Sequence, residues 1–314
     1  MYDLVIIGAG PGGLSAGLYA GRARLKTIIL EGTAIGGQIG ITDTIDNYPG
    51  SLLEGEESGK SLTERMKKQA ERFGCEIKNV SVKDVDFSEH PKKIFLSNGD
   101  ILETKGVIIA TGASPRKLNV PGESEFTSKG VSYCATCDAD FFTDFEVFVV
   151  GGGNSAIEEA IYLSKFARKV TILVRRDVLR CDAIVKEEAE KIDNLEFKYS
   201  TSIKEIKGEG LVQSLVLIDN VTKEEYEYFA DEDDGLMGVF IFVGNDPTSK
   251  IFEGKIKLDE DGYIITNELM QTDIPMVYAV GDIRNTPLRQ VVTAASDGAI
   301  AAVYIEKEMK NIKG

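Results

Sequence analysis

The stretch Leu4-Val5-Ile6-Ile7-Gly8-Ala9-Gly10-Pro11-Gly12-Gly13 decides the fold, and the rest of the chain is read outward from it. Four consecutive apolar residues read as a strand buried on both faces, the mark of a parallel sheet. The glycines follow as G-x-G-x-x-G, and Leu14 to Ala23 reads as helix. Strand, glycine turn and helix in that order form a dinucleotide-binding unit. Gly8 permits the tight turn. Gly10 lets a pyrophosphate approach the backbone. Gly13 lets helix and strand pack closely. The helix N-terminus then faces the phosphates. The next strand, Thr27 to Leu30, ends at Glu31. An acid there binds a ribose 2′-hydroxyl, so the site suits FAD or NAD and disfavours NADP.

A second turn repeats the device with a different ending. Glu146 to Val150 reads as a strand. Gly151-Gly152-Gly153-Asn154-Ser155-Ala156 follows, and Ile157 to Phe166 reads as helix. The strand after it, Lys169 to Val174, leads to no acid but to Arg175, Arg176 and Arg180. Guanidinium groups bind phosphate oxygens in paired, charge-assisted bonds, so this site is expected to prefer NADP(H). The stretch Gly106 to Pro115 also resembles Gly238 to Pro247. Each closes a unit opened by a glycine turn, which implies two nucleotide domains of similar build.

Between the turns lies Cys134-Ala135-Thr136-Cys137-Asp138. Two cysteines at this spacing can close a small disulfide ring or supply half a metal site. A structural zinc needs two more ligands, but only Cys75, Cys181 and the single histidine His90 remain. A redox-active dithiol is the better reading, with a structural disulfide as the plain alternative. Asp138 is the natural proton carrier for thiol exchange if an apolar site raises its pKa, and a helix N-cap is its other reading.

Composition sets the bounds. The chain has 314 residues, enough for about two domains. Its net charge of −15 argues against an extended nucleic-acid surface. No apolar run reaches the roughly 18 residues of a membrane span, and Met1 and Tyr2 lead straight into a strand without a secretory leader. A cytoplasmic protein is expected, and in that compartment disulfides are usually catalytic or transient.

The remaining segments are read in chain order. Gly36-Gly37-Gln38 and Asn47-Tyr48-Pro49-Gly50 are loops near the first turn, and residues 58–73 form an amphipathic helix. Residues 76–103 alternate as a small antiparallel sheet, and residues 196–229 do the same later. His90 reads as an exposed loop residue. Val107 to Gly112 is a buried strand and turn, and residues 113–123 are a linker. Met276 to Asp282 delivers an acid at a strand's C-terminal end, where open α/β sheets bind ligands. A long helix starts at Pro287-Leu288-Arg289-Gln290 and runs to about Lys310. Pointed at a flavin, its positive N-terminal end would stabilise the anionic reduced ring, and the pattern alone leaves open which domain owns the segment. The fold class is α/β, with two Rossmann-like three-layer dinucleotide-binding domains, each carrying a small antiparallel sheet.

In order and spacing these motifs resemble the low-molecular-weight thioredoxin reductases over essentially the whole chain. The match takes in Gly8 to Gly13, Gly36-Gly37-Gln38, Asn47 to Gly50, Ala110-Thr111-Gly112, Cys134 to Asp138, Gly151 to Ala156, the arginine cluster, Gly281-Asp282 and Arg289 to Ala295. The resemblance implies a discontinuous FAD domain from residues 1–114 and 245–314, with an NADPH domain, 115–244, inserted into it. It also implies a homodimer and a rotation between two domain arrangements. FAD would be held by Gly8, Gly10, Pro11, Gly12, Gly13, Glu31, Gly36, Gly37, Gln38, Asn47, Val82, Thr111, Gly112, Gly281, Asp282, Arg289, Gln290 and Val291. NADPH would be held by Gly151, Gly153, Asn154, Ser155, Arg175, Arg176 and Arg180. Electrons would pass from NADPH to FAD, then to the Cys134–Cys137 disulfide, then to thioredoxin. Cys137 would sit beside the flavin and Cys134 would attack the substrate disulfide. Three positions depart from the family pattern: Val174 stands for the usual His, Ala139 for the usual Gly, and Cys181 is an added thiol read as packing. A ferredoxin-driven reductase and a flavoprotein redox sensor are the competing readings.

Overall fold

A computed structural model describes residues 1–41, 45, 47–52 and 57–312. The chain forms two compact units, Met1–Ser114 with Asp246–Gly314, and Pro115–Asn245. In the first unit β1 (Tyr2–Ile7) leads into α1 (Pro11–Arg22) and β2 (Thr27–Glu31). Leu4 and Ile6 pack on one side of the sheet, with Leu14, Ala16 and Ile29. Val5 and Ile7 pack on the other, with Ile28, Leu30, Val107 and Ile109. Both faces of β1 are therefore covered, which is why its sequence is continuously apolar. Helix α2 (Gly59–Arg72) is capped by Ser58, whose side chain accepts from Ser61 N.

The strands β3 (Glu76–Asn79), β4 (Val82–Asp86), β5 (Lys92–Leu96) and β6 (Ile101–Ile109) complete a sheet of order β3-β2-β1-β6-β5-β4. Here the structure refines the sequence reading of residues 76–103. Strand β3 is a parallel edge strand on β2, with Ile77 opposite Ile29. The antiparallel part, β4-β5-β6, is continuous with the parallel part. Long β6 takes β5 along its first half and β1 along its second, Thr104 serving as partner to both.

The chain leaves this unit through β7 (Ala113–Pro115). In the second unit, β8 (Val131–Ser132), α3 (Ala135–Asp138), β9 (Glu146–Val150), α4 (Asn154–Leu163), β10 (Lys169–Leu173), α5 (Ala183–Ala189) and β11 (Leu195–Lys198) follow. The strands β12 (Thr201–Lys207), β13 (Ser214–Asp219) and β14 (Glu225–Phe229) make a separate antiparallel sheet. Strand β15 (Gly238–Ile241) returns to the parallel sheet, of order β11-β10-β9-β15-β8. One face of that sheet carries Val147, Val149, Ile157 and Ile172. The other carries Phe148, Val150, Leu215 and Val239 under the antiparallel sheet. The unit is thus three-layered, with the parallel sheet in the middle.

The return crossing is β16 (Asn245–Pro247), which pairs with β7. Back in the first unit, β17 (Val277–Ala279) pairs with β6, Val277 opposite Val107. Helix α6 (Val291–Ile312) then packs on α1. It begins four residues later than the sequence suggests, because Pro287 to Gln290 form its approach. The two helices meet at glycine: a Cβ on Gly298 would lie 2.1 Å from the Gly12 carbonyl oxygen. Among the described residues no helix is long and apolar enough to cross a membrane.

Candidate functional sites in the two units

The first turn is built as a cradle. Gly8 has φ of +107°, and a Cβ there would lie 2.3 Å from Ala110 O. A Cβ on Gly13 would lie 2.0 Å from Gly8 O. Both positions are closed to any side chain, so α1 starts directly against β1. Gly10 is the opposite case: it is the N-cap of α1, and a Cβ on it would meet nothing within 4 Å. Open space lies over the start of α1, with Pro11 in the first turn and no side chain capping it. The free N–H groups of that turn are ready for an anion.

Glu31 lies at the end of β2, buried beside this cradle. Its Oε2 accepts from Ala9 N at 2.8 Å, and its Oε1 accepts from Thr33 N and Thr33 Oγ1, each at 2.9 Å. The carboxylate is therefore oriented by the turn itself. Gly36 N donates to Ala9 O, which places Gly36 and Gly37 next to Gly10. Gln38 Nε2 donates to Ser114 Oγ at 3.1 Å. Thr111 Oγ1 donates to Thr248 O at 2.9 Å, one residue before Gly112. Asn47 Nδ2 donates to Gln290 Oε1 at 3.1 Å, across 243 residues of sequence. Val82 opens β4 next to Ser81, whose Oγ donates to Gly32 O. The expected residues of this unit are thereby gathered at the C-terminal ends of β1, β2, β6 and β17, where open sheets bind ligands.

Asp282, Arg289 and the start of α6 complete this end. Burial raises the Asp282 carboxyl to about 6; Arg289 opposes the rise and Asp297 adds to it. Asp297 accepts from Gly281 N at 3.1 Å and from Arg284 Nη1 at 3.2 Å. The Arg289 guanidinium stacks over Tyr263 at 4.4 Å, while its Nε is buried without a hydrogen-bond partner. A buried, unpaired donor next to an open cradle fits a polar ligand group. The residues present thus suit a dinucleotide with an acceptor-rich ring near Arg289 and the α6 N-terminus.

In the second unit Gly153 repeats the geometry of Gly10. It is the N-cap of α4, and a Cβ on it would meet nothing within 4 Å. A Cβ on Gly151 would lie 2.5 Å from both Ala156 Cβ and Phe242 O, so this glycine is required for close packing. Arg180 N donates to Gly152 O at 2.7 Å, tying the arginine loop to the turn. Arg175, Arg176 and Arg180 are exposed, and none forms an ion pair among the described residues. Three uncommitted guanidinium groups beside a glycine cradle suit a phosphorylated ribose. Two packing details surround this turn. The Asn154 side chain is engaged by Asp182: its Nδ2 donates to Asp182 Oδ2 at 2.9 Å, and its Oδ1 accepts from Asp182 N at 2.7 Å. Val174 is buried under the turn, 3.2 Å from where a Cβ on Gly152 would be. Cys181 is half-buried against the core, and burial pushes its thiol up.

The same unit holds the cysteine pair. Cys134 and Cys137 are joined by a disulfide, with Cys134 as N-cap of the single-turn α3. Both are half-buried and Thr136 between them is exposed. Ala135 and Ala139 are buried in the core, so the turn is anchored on one side and open on the other. Burial pushes the Asp138 carboxyl above its ordinary range, and a hydrogen bond from Ser132 opposes the rise. The N-cap reading of Asp138 does not hold, because Asp138 is the last residue of α3. Two nearby residues carry no sequence motif. Phe141 is 61% exposed, edge-on to buried Phe142. Tyr133 donates to buried Glu123, which also accepts from Leu118 N and Asn119 N. Among the described residues no cluster of His, Cys, Asp or Glu could hold a metal.

The sequence profile of the pyridine nucleotide-disulphide oxidoreductases matches residues 2–298. The chain belongs to that family. It is 55% identical to a thioredoxin reductase of Peptoclostridium acidaminophilum, over 98% of this chain and 96% of that one. It is 43% identical to the thioredoxin reductase of Bacillus subtilis, over 100% and 98%. The solved thioredoxin reductase of Streptococcus pyogenes superposes with a TM-score of 0.91 at 41% identity, covering 99% of each chain. That of Giardia duodenalis gives 0.90 at 36%, covering 98% and 99%.

Proposed function

We propose that this chain is an NADPH-dependent, FAD-containing thioredoxin-disulfide reductase. The observation that carries the proposal is the half-exposed Cys134–Cys137 disulfide next to a carboxyl whose pKa burial raises, in a unit with an arginine-flanked glycine turn. FAD is assigned to the first unit, through Gly8 to Gly13, Glu31, Gly36 to Gln38, Asn47, Val82, Thr111, Gly112 and Gly281 to Val291. NADPH is assigned to the second, through Gly151, Gly153, Ser155, Arg175, Arg176 and Arg180, with Asn154 acting through Asp182. Bound there, the two groups would supply the electron pair that opens the disulfide. A homodimer and a cytoplasmic location belong to the same reading.

The chain's own residues do the rest. The Cys134 thiolate attacks the substrate disulfide, and Cys137 then attacks Cys134 to release the reduced substrate. Cys134 is assigned the attacking role because it opens the turn, while Cys137 stays inside α3. Asp138 gives and takes the exchange proton, a task suited to a carboxyl whose pKa lies nearer to neutrality. Exposed Phe141 gives a protein substrate an apolar contact close to the dithiol.

The test is an anaerobic titration of the purified flavoprotein with NADPH, NADH and reduced ferredoxin. NADPH is expected to bleach the flavin band, and oxidised thioredoxin to restore it. Bleaching by ferredoxin alone would replace the donor. Bleaching by NADPH that leaves thioredoxin oxidised would overturn the substrate and favour a redox sensor.

A further inference from the structure

The Asp297 carboxylate lies behind the turn that carries Asp282, and the chemistry above makes no use of it. Asp297 stands on α6, buried, next to the glycine at which α6 meets α1. Its Oδ2 accepts from Gly281 N at 3.1 Å and from Arg284 Nη1 at 3.2 Å. Arg284 closes the turn Gly281–Ile283, its N donating to Gly281 O at 3.2 Å. Its Nε donates to Thr266 Oγ1 at 2.8 Å, and its backbone forms a bridge with Ile264. The side chains of Arg284 and Asp297 keep only 12% and 11% of their surface exposed. An ion pair is thus sealed between the Gly281 turn and α6.

Three parts of the flavin assignment converge on this pair. A Cβ on Gly12, in the first turn of α1, would lie 3.2 Å from Val280 Cγ2 and 3.3 Å from Ala294 O. A Cβ on Gly281 would lie 3.3 Å from Ala294 Cβ. The glycine cradle, the turn before Asp282 and α6 are therefore in contact. The turn opens at Gly281 with φ of +70°, and its buried N–H needs an acceptor. Asp297 is that acceptor, and it comes from the helix whose approach carries Arg289 and Gln290.

We infer that Arg284 and Asp297 are a positioning pair for the flavin: Asp297 fixes the Gly281–Asp282 turn to α6, and Arg284 cancels its charge, so the pair gives the site shape but no net charge. The inference rests on the FAD assignment of this unit proposed above. A buried charge that loses its partner is felt at a distance, because little water screens it. Asp297 already acts on Asp282, whose carboxyl its charge helps to raise. An unpaired Arg284 would favour the reduced, anionic form of a bound flavin, and an unpaired Asp297 would disfavour it. Residues that only hold the fold would change retention or Tm without this reversal of sign.

The experiment measures the flavin potential of the purified flavoprotein, with C134S/C137S in every variant so that only the flavin takes electrons. Each variant is equilibrated with a reference dye at pH 8, and FAD retention is followed by ultrafiltration. At the dye potential that leaves the parent half reduced, D297N is expected to raise the ratio of reduced to oxidised flavin by about three- to tenfold, the order for one poorly screened unit charge. R284Q is expected to lower the ratio by a similar factor. R284Q/D297N restores neutrality and is expected to return the ratio to near the parent, while retention falls by about three- to tenfold for the lost charge-assisted bonds. Retention at the parent level in that double variant would show that the pair positions nothing. R289A is the reference, because it removes a cation assigned to the ring, and it is expected to lower both the ratio and retention. If R289A changes neither, this end of the unit does not hold the ring, and the FAD assignment and the inference fall together. If R289A acts but D297N and R284Q leave the ratio unchanged, or move it in the same direction, the positioning inference alone fails.

Discussion

The two glycine turns share one backbone device and differ in what stands after the second strand. Gly10 and Gly153 both cap a helix and both look into open space. Near Gly10 stands Glu31, a buried carboxylate already held by Ala9 and Thr33. Near Gly153 stand exposed arginines without ion pairs among the described residues. The glycines make room for a pyrophosphate, which is common to every dinucleotide. The following side chains select the ribose, which is where dinucleotides differ. A buried acid rejects a 2′-phosphate by repulsion. Exposed surface cations welcome one at little cost to the free protein.

The largest expected effect comes from erasing the arginine side of this contrast. R176A/R180A removes charge-assisted bonds worth about 1.5–3 kcal/mol each. We expect kcat/KM for NADPH to fall by about 10²- to 10⁴-fold, mostly through KM, with NADH changed by less than about threefold. Equal loss with both nucleotides would mean that the arginines do not read the 2′-phosphate. Next is the acid side. E31A leaves Ala9 N and Thr33 N without their acceptor and removes a ribose partner. Flavin retention should weaken by about 30- to 100-fold, a loss of about 2–3 kcal/mol, measurable by ultrafiltration. Unchanged retention would break the assignment of Glu31.

A smaller effect tests the acid that intrudes on the basic site. D182N keeps a partner for Asn154 but removes an anion beside the turn. NADPH KM should drop about two- to threefold, in line with the modest worth of exposed charges, while NADH responds less. The smallest effect concerns Asp282. Its folded pKa is raised to about 6, so the folded state favours the protonated acid. The stability this gives is present at low pH and is lost as pH rises from about 4, the unfolded value, through about 6. D282N should therefore gain on the wild-type apoprotein across that window, by a few degrees of Tm, with a constant gap above it. A gap independent of pH would assign the effect to packing.

Much of this was legible in the sequence because the constraints are local. A Gly8 Cβ would strike Ala110, so no other residue can stand there, and strand, turn and helix follow from neighbouring positions. The cysteine pair is equally local. What stayed hidden depends on pairing over distance. The link of Asn47 to Gln290 spans 243 residues, and the capture of Asn154 by Asp182 spans 28. No pattern within either segment announces these bonds. The sequence groups β3 with its antiparallel neighbours because a half-exposed edge strand alternates whichever way it pairs. The bonds of the Ser132 hydroxyl to the Cys134 backbone are likewise hidden, because a serine before a C-x-x-C looks like any turn residue in sequence.

The meeting of Gly12 with Gly298 joins the first helix of the chain to the last. Its consequence lies in synthesis. Residues 115–245 form an uninterrupted unit and can fold as soon as they leave the ribosome. The apolar face of α1, made much earlier, stays uncovered until α6 emerges. Nascent chains stalled before residue 291 should therefore protect the second unit from protease while residues 1–114 remain open to cleavage or held by a chaperone. The oldest part of the polypeptide is the last to mature.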